Sequence, residues 1–182
     1  MPGVTVPVPI VHAFDHSAAQ EMRDALLTVL DPQRGQRILE VGAGSGCYAL
    51  EVAEAVAPAG TVDIVDGLPD RLDDAMQSAR ARGLDNVAPT LGDGRYLPFG
   101  DSWFDAAYMV AALGDVPDQP VALAELARVL GPGGRLVIGE LHGDPHHVDP
   151  TRLHLSAATA GLRVVERVDR RWGYVARLSH AV

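Results

Sequence analysis

The chemistry that stands out in this chain is concentrated in Glu40-Val41-Gly42-Ala43-Gly44-Ser45-Gly46, where glycines alternate just after a carboxylate. With every second Cβ missing, a ligand can press against main-chain amides, and at the start of a helix those amides carry partial positive charge. Two more carboxylates follow, Asp66 and then Asp93, which stands between Gly92 and Gly94. An aspartate roughly 20 residues beyond a glycine loop is placed to accept hydrogen bonds from both hydroxyls of a ribose. The competing reading of Asp66 is a solvated cap on the next helix. Asp93 has two readings as well: an acceptor for the exocyclic amino group of adenine, or a turn aspartate bonded to its own backbone. Candidates for proton transfer cluster at His142, His146 and His147.

Strands and helices must bring these residues together. Apolar positions Ala18, Met22, Ala25, Leu26 and Val29 predict a helix over Ser17–Leu30, with Ser17 and Gln20 as a capping box. Arg37–Val41, Thr61–Asp66, Asn86–Leu91, Phe104–Val110 and Arg135–Glu140 read as strands. Helices from about Cys47 to Val56, Asp70 to Ala81 and Pro120 to Leu130 alternate with them. Gly131-Pro132-Gly133-Gly134 is expected to close the helix before the fifth strand. After a turn-rich stretch, Gly143 to Pro150, a last helix leads to the runs Arg163–Val168 and Tyr174–Ser179. Too few residues separate those runs for a helical crossover, so they should pair antiparallel. The fold class is therefore α/β: a doubly wound, Rossmann-like mixed sheet of about seven strands, with helices on both faces and a C-terminal antiparallel hairpin. Ligands in such sheets bind beyond the carboxyl ends of the strands, where the glycines, Asp66 and Asp93 fall.

A glycine loop alone is shared by NAD-, FAD- and S-adenosylmethionine-binding folds. The dinucleotide fingerprint G-x-G-x-x-G needs glycine where this chain has Cys47; here the third glycine comes one residue early, at Gly46. The ordered set is more specific: Ile38 to Gly46, then Asp66, then Gly92-Asp93 running into Leu97-Pro98-Phe99 and Phe104-Asp105, then Glu125-Leu126-Ala127-Arg128-Val129-Leu130-Gly131-Pro132-Gly133-Gly134. It resembles the class I S-adenosylmethionine-dependent methyltransferases, and within them the small-molecule branch of ubiquinone and menaquinone biosynthesis. The match runs from about Arg37 to Glu140.

The resemblance implies S-adenosylmethionine as cofactor. Gly42, Gly44 and Gly46 would line its methionyl and ribose part, Asp66 would hold the ribose hydroxyls and Asp93 the adenine, with Glu40 near the methionyl end. Met109 to Ala112 would face the sulfonium and a small-molecule acceptor, although Val110-Ala111-Ala112-Leu113 lacks the polar residue often found there. Methyl transfer is an in-line displacement that needs mainly alignment. A hydroxyl acceptor also needs a base, for which His142 is the candidate, the alternative being solvated turn histidines. Two other readings stand beside the enzyme: a cofactor-binding but silent regulatory partner, and a nicotinamide-dependent oxidoreductase.

Composition narrows the field. The chain has 182 residues, long enough for one full core, and residues 1–182 are taken as one domain in which 1–30 form a lead-in and helix and Met1 to Asp15 is a candidate lid. A net charge of −9 argues against a nucleic acid partner, since Arg163, Arg167, Arg170 and Arg171 read as a solvated strand face. The single Cys47 excludes an intrachain disulfide and a cysteine-based metal cage, no metal is assigned, and a reducing cytoplasm fits. No stretch reaches the roughly 20 apolar residues of a membrane span, so a soluble protein is expected. The short connection after the fifth strand leaves the acceptor site shallow, or completed by a second copy in a homodimer.

Overall fold

A computed structural model describes residues 16–181, with side chains from residue 18 onward. The candidate lid, Met1 to Asp15 with His12, and the Ser17 side chain of the capping box lie outside the described residues.

Seven strands form one sheet in the order β3-β2-β1-β4-β5-β7-β6. They are β1 (Arg37–Val41), β2 (Thr61–Asp66), β3 (Val87–Leu91), β4 (Phe104–Val110), β5 (Leu130–Leu141), β6 (Leu162–Arg170) and β7 (Gly173–His180). The helices are α1 (His16–Leu30), α2 (Cys47–Val56), α3 (Pro69–Ala81), α4 (Gln119–Val129) and α5 (Pro150–Thr159). The first five strands pair in parallel, while β7 inserts antiparallel between β5 and β6. The expected hairpin is present, and its last strand rather than its first joins the parallel sheet.

Period-two alternation divides the core. Ile38 joins Ile64, Tyr108 and Val137 under α1, α2 and α3, whereas Leu39 and Val41 join Val65, Met109 and Ile138 under α4 and α5. The strands therefore read as near-continuous apolar runs, covered on both faces. From β1 the chain winds outward through β2 and β3, then returns to add β4 and β5 on the other side. The strand order thus reverses between β1 and β4, where a crevice opens. No helix among the described residues is long and apolar enough to cross a membrane.

One expected turn is built differently. Helix α4 ends at Val129 without a left-handed glycine cap, because Leu130 is already extended and pairs with Phe104. The next paired residues are Ala106 and Arg135, so Gly131 to Gly134 buckle out opposite Asp105 alone, with Gly133 at φ +77°.

The α4 motif also anchors the segment leading into β4. Arg128 donates to the carbonyls of Phe99 (2.9 Å) and Leu97 (3.2 Å) and to Asp101 (2.8 Å), while Glu125 accepts from the Leu97 amide (3.0 Å). Arg128 and Glu125 are themselves bonded, which holds the Glu125 carboxyl below its usual range. Replacing Arg128 by leucine unpairs two main-chain carbonyls. A loss of roughly 1–3 kcal/mol is expected, read by urea denaturation, with faster amide exchange confined to residues 95–102; unchanged exchange there would reject the anchoring role.

Candidate active site

The three loop glycines all have positive φ, +81° at Gly42, +53° at Gly44 and +78° at Gly46, and two of them are also required by a close neighbour. A Cβ on Gly42 would lie 2.4 Å from the Ala112 Cβ, and one on Gly46 would lie 2.7 Å from the Ala75 Cβ. Gly46 thus seats the start of α2 against α3. Only Gly44 faces open space, with nothing within 4 Å of the added carbon.

That space belongs to a cavity of about 1220 Å³ at the carboxyl ends of the parallel strands. Gly42, Gly44, Asp66, Asp93 and Met109 line it; Gly46 packs behind the loop, and Glu40 lies beneath it, 1% exposed. Asp66 ends β2 and is doubly tied, accepting from the Gly44 amide (3.1 Å) and the Leu68 amide (2.9 Å). The Leu68 bond closes the turn ahead of α3, whose N-cap position carries no side-chain cap bond, and the carboxylate also borders the cavity. Asp93 accepts from its neighbour's amide, Arg95 N (2.9 Å), and from the Arg95 guanidinium, which hold its carboxyl below the usual range. The turn-aspartate geometry is therefore present, at a carboxylate that still lines the cavity.

His142 is not brought to this site. It is exposed, and its ring meets His147 edge-on at 5.0 Å between centroids. The cavity histidine is His146, bonded through Nδ1 to Asp115. The segment after β4, bland in sequence, is small for steric reasons: Ala111 turns at φ +48° and Ala112 packs on Gly42. The sequence reading also missed Leu68 and Leu91, exposed by 46% and 61%, which border the cavity on either side of the β2 and β3 tips. The signal was an apolar residue two positions past Asp66 and another just before Gly92. Electrostatically the lining is one-sided. Asp66, Asp70, Asp74, Asp93, Asp115 and Asp144 share the lining with one arginine, Arg71, while Arg95 pairs with Asp93 from outside it.

A glycine loop under a strand-order reversal, with carboxylates at successive strand tips, is the frame of a family whose model, the ubiE/COQ5 methyltransferase family, matches residues 15–146. The chain belongs to this family. It is 37% identical over 115 residues to a demethylmenaquinone methyltransferase of Geobacillus kaustophilus, covering 63% of this chain and 49% of that one. A solved S-adenosylmethionine-dependent methyltransferase from Aquifex aeolicus shares the fold, with TM-score 0.75 and 23% identity over 91% of this chain and 98% of that chain. The solved cyclase SpnF is also similar, with TM-score 0.74 and 29% identity over 84% of this chain and 60% of that one. The chain spans 40–49% of the length of three curated relatives it matches.

Within this family member two buried glutamates are held protonated. Burial pushes Glu40 up to about 8, with nearby Asp66 adding to the rise. The neighbouring Tyr108 hydroxyl tempers that rise, although neither it nor Glu40 Oε2 has a hydrogen bond of ordinary geometry. Burial likewise pushes Glu140 up to about 8, despite the Val148 amide at 3.1 Å. A folded state that keeps protons the unfolded chain releases near 4.5 loses stability as pH rises from about 4.5 to about 8. Each group contributes a slope of at most about 1.4 kcal/mol per pH unit. Glu40→Gln and Glu140→Gln should each flatten the fall in denaturation midpoint across that window. An unchanged slope in both variants would mean that neither proton is retained.

Proposed function

We propose that this chain transfers a methyl group from S-adenosylmethionine to a small-molecule acceptor. The observation that carries the reading is the acidic cavity above the glycine loop. With the paired Asp93 and Asp115 set aside, Asp66, Asp70, Asp74 and Asp144 still outnumber Arg71 in the lining, which repels a dinucleotide diphosphate and favours a ligand whose reactive end is a cation. Family membership supports the same cofactor.

The residues fit that ligand part by part. Gly44, lacking a Cβ, admits it against the main chain, and Asp66, fixed by two amides, has its carboxylate in position for the ribose hydroxyls. Leu68 and Leu91 offer apolar surface to the faces of an adenine, beside Asp93. Glu40, orphaned at Oε2 beneath the loop, stands near the methionyl end, and Met109 with Ala111 and Ala112 forms the floor toward the acceptor. When bound, the cofactor supplies a methyl already activated on a sulfonium. The chain's share is to align it with the acceptor and to exclude water. The cavity exceeds the roughly 300–1,000 Å³ common for a single ligand, which leaves room for the acceptor beside the cofactor.

A second reading is a cofactor-binding protein that transfers no methyl group, and the similarity to a chain named as a cyclase favours keeping it. Calorimetric titration addresses the cofactor. S-adenosylhomocysteine is expected to bind, with affinity falling at least about 10-fold in Asp66→Asn, one strong charge-assisted bond being worth about 1.5–3 kcal/mol. NAD is expected not to bind, and NAD binding more tightly would sink the proposal. Turnover of S-adenosylmethionine with phenols, amines and carbon acids separates the enzyme from the silent protein.

A further inference from the structure

Among the cavity's side chains one pair is unused by the grip on the cofactor. Asp115 ends the short 3-10 turn Leu113–Asp115 after β4, and His146 lies in the connection between β5 and α5. Both line the cavity on the β4 and β5 side of the strand-order reversal, across from the β2 and β3 tips that carry Asp66 and Asp93. We propose that His146 is the general base that takes the proton from a hydroxyl acceptor, with Asp115 as the positioning residue that fixes its ring. The inference rests on the methyl-transfer reading.

The pairing is built into the main chain as well as the side chains. Asp115 Oδ1 is bonded to His146 Nδ1, and a Cβ on Gly114 would fall 1.8 Å from the His146 carbonyl oxygen, so the two loops touch backbone to backbone. Asp144 accepts from the His146 amide (2.7 Å), and the Asp144 carbonyl accepts from the His147 amide (3.1 Å), holding the turn. A carboxylate at Nδ1 selects the tautomer with the proton there, which leaves the lone pair on Nε2. The ring is half exposed, so that nitrogen is accessible. Among the described residues no group of three or more histidine, cysteine or acidic side chains could hold a metal ion.

The surroundings define the acceptor class. Val116, Pro117, Leu141 and Pro145 give this end of the cavity apolar walls, suited to a hydroxyl on an apolar or aromatic skeleton such as a phenol. In the step, the acceptor oxygen bonds to the methyl carbon as the carbon–sulfur bond breaks and its electron pair stays on sulfur. The hydroxyl proton passes to Nε2, and the resulting imidazolium is stabilised by the Asp115 carboxylate.

The test measures kcat for wild type, His146→Ala, His146→Asn and Asp115→Asn on phenols of graded acidity, with S-adenosylhomocysteine affinity measured in parallel. Removing the base should lower kcat by about 10²–10⁴-fold on weakly acidic phenols and far less on phenols already ionised at the assay pH. Asp115→Asn should show the same trend with a smaller loss, and S-adenosylhomocysteine affinity should stay within about 2-fold, as independent evidence of an intact cofactor site. Equal losses across the phenol series, no loss in either His146 variant, or wild-type turnover confined to amines or carbon acids would each overturn the assignment. Failure of the wild type to bind S-adenosylhomocysteine would overturn the methyl-transfer reading itself.

Discussion

The hydrogen bond from the Gly44 amide to the Asp66 carboxylate, 3.1 Å long, ties together the two strand tips on which the cavity depends. Strands β1 and β2 are paired in register, Val41 opposite Val65, so they end level with each other. The chain leaving β1 must then curl over the end of β2, which it does through positive φ at Gly42, Gly44 and Gly46. Asp66 receives one amide from that loop and another from Leu68, so its carboxylate is held rather than swinging into solvent. A group fixed before its ligand arrives loses little freedom on binding. The second of these bonds also orients Leu68, and with it one apolar border of the cavity.

Holding several aspartates around one cavity costs electrostatic repulsion, which the fold tolerates by different means. Asp93 is neutralised by Arg95, and Asp115 is held by its hydrogen bond with His146. Glu40 is the extreme case. It faces the α1–α3 side of β1, in register with Tyr108 on β4, and keeps its proton rather than add a buried charge near Asp66. A cation entering the cavity relieves what repulsion remains, so binding and local stability are coupled through the same carboxylates.

Much of this architecture was legible because a parallel strand covered on both faces leaves a continuous apolar run. Strands β1, β2 and β4 and helix α2 have the bounds their residues suggested. The glycine loop and Asp66 were legible for a related reason: their function follows from local spacing along the chain. What spacing could not reveal was which neighbours Gly42 and Gly46 meet, since Ala112 and Ala75 arrive from the turn after β4 and from α3. It also could not separate His142 from His146, because the partner that distinguishes them, Asp115, lies 31 residues away in sequence. Gly131 to Gly134 misled for the opposite reason. They carry the composition of a helix cap, but pairing of Leu130 with Phe104 starts the strand first and leaves the glycines as a bulge.

The blandness after β4 follows from the same contacts. Ala111 occupies a left-handed conformation that costs a non-glycine residue roughly 1–2 kcal/mol, and the Ala112 Cβ sits only 2.4 Å from where a Cβ on Gly42 would lie. The floor of the cavity, Met109, Ala111 and Ala112, thus carries no proton-transferring group. The turn ending at Asp115 and the connection holding His146 bring such a group to its edge. Because Gly114 lets those loops touch, a site whose floor must stay inert can still place an imidazole at its edge.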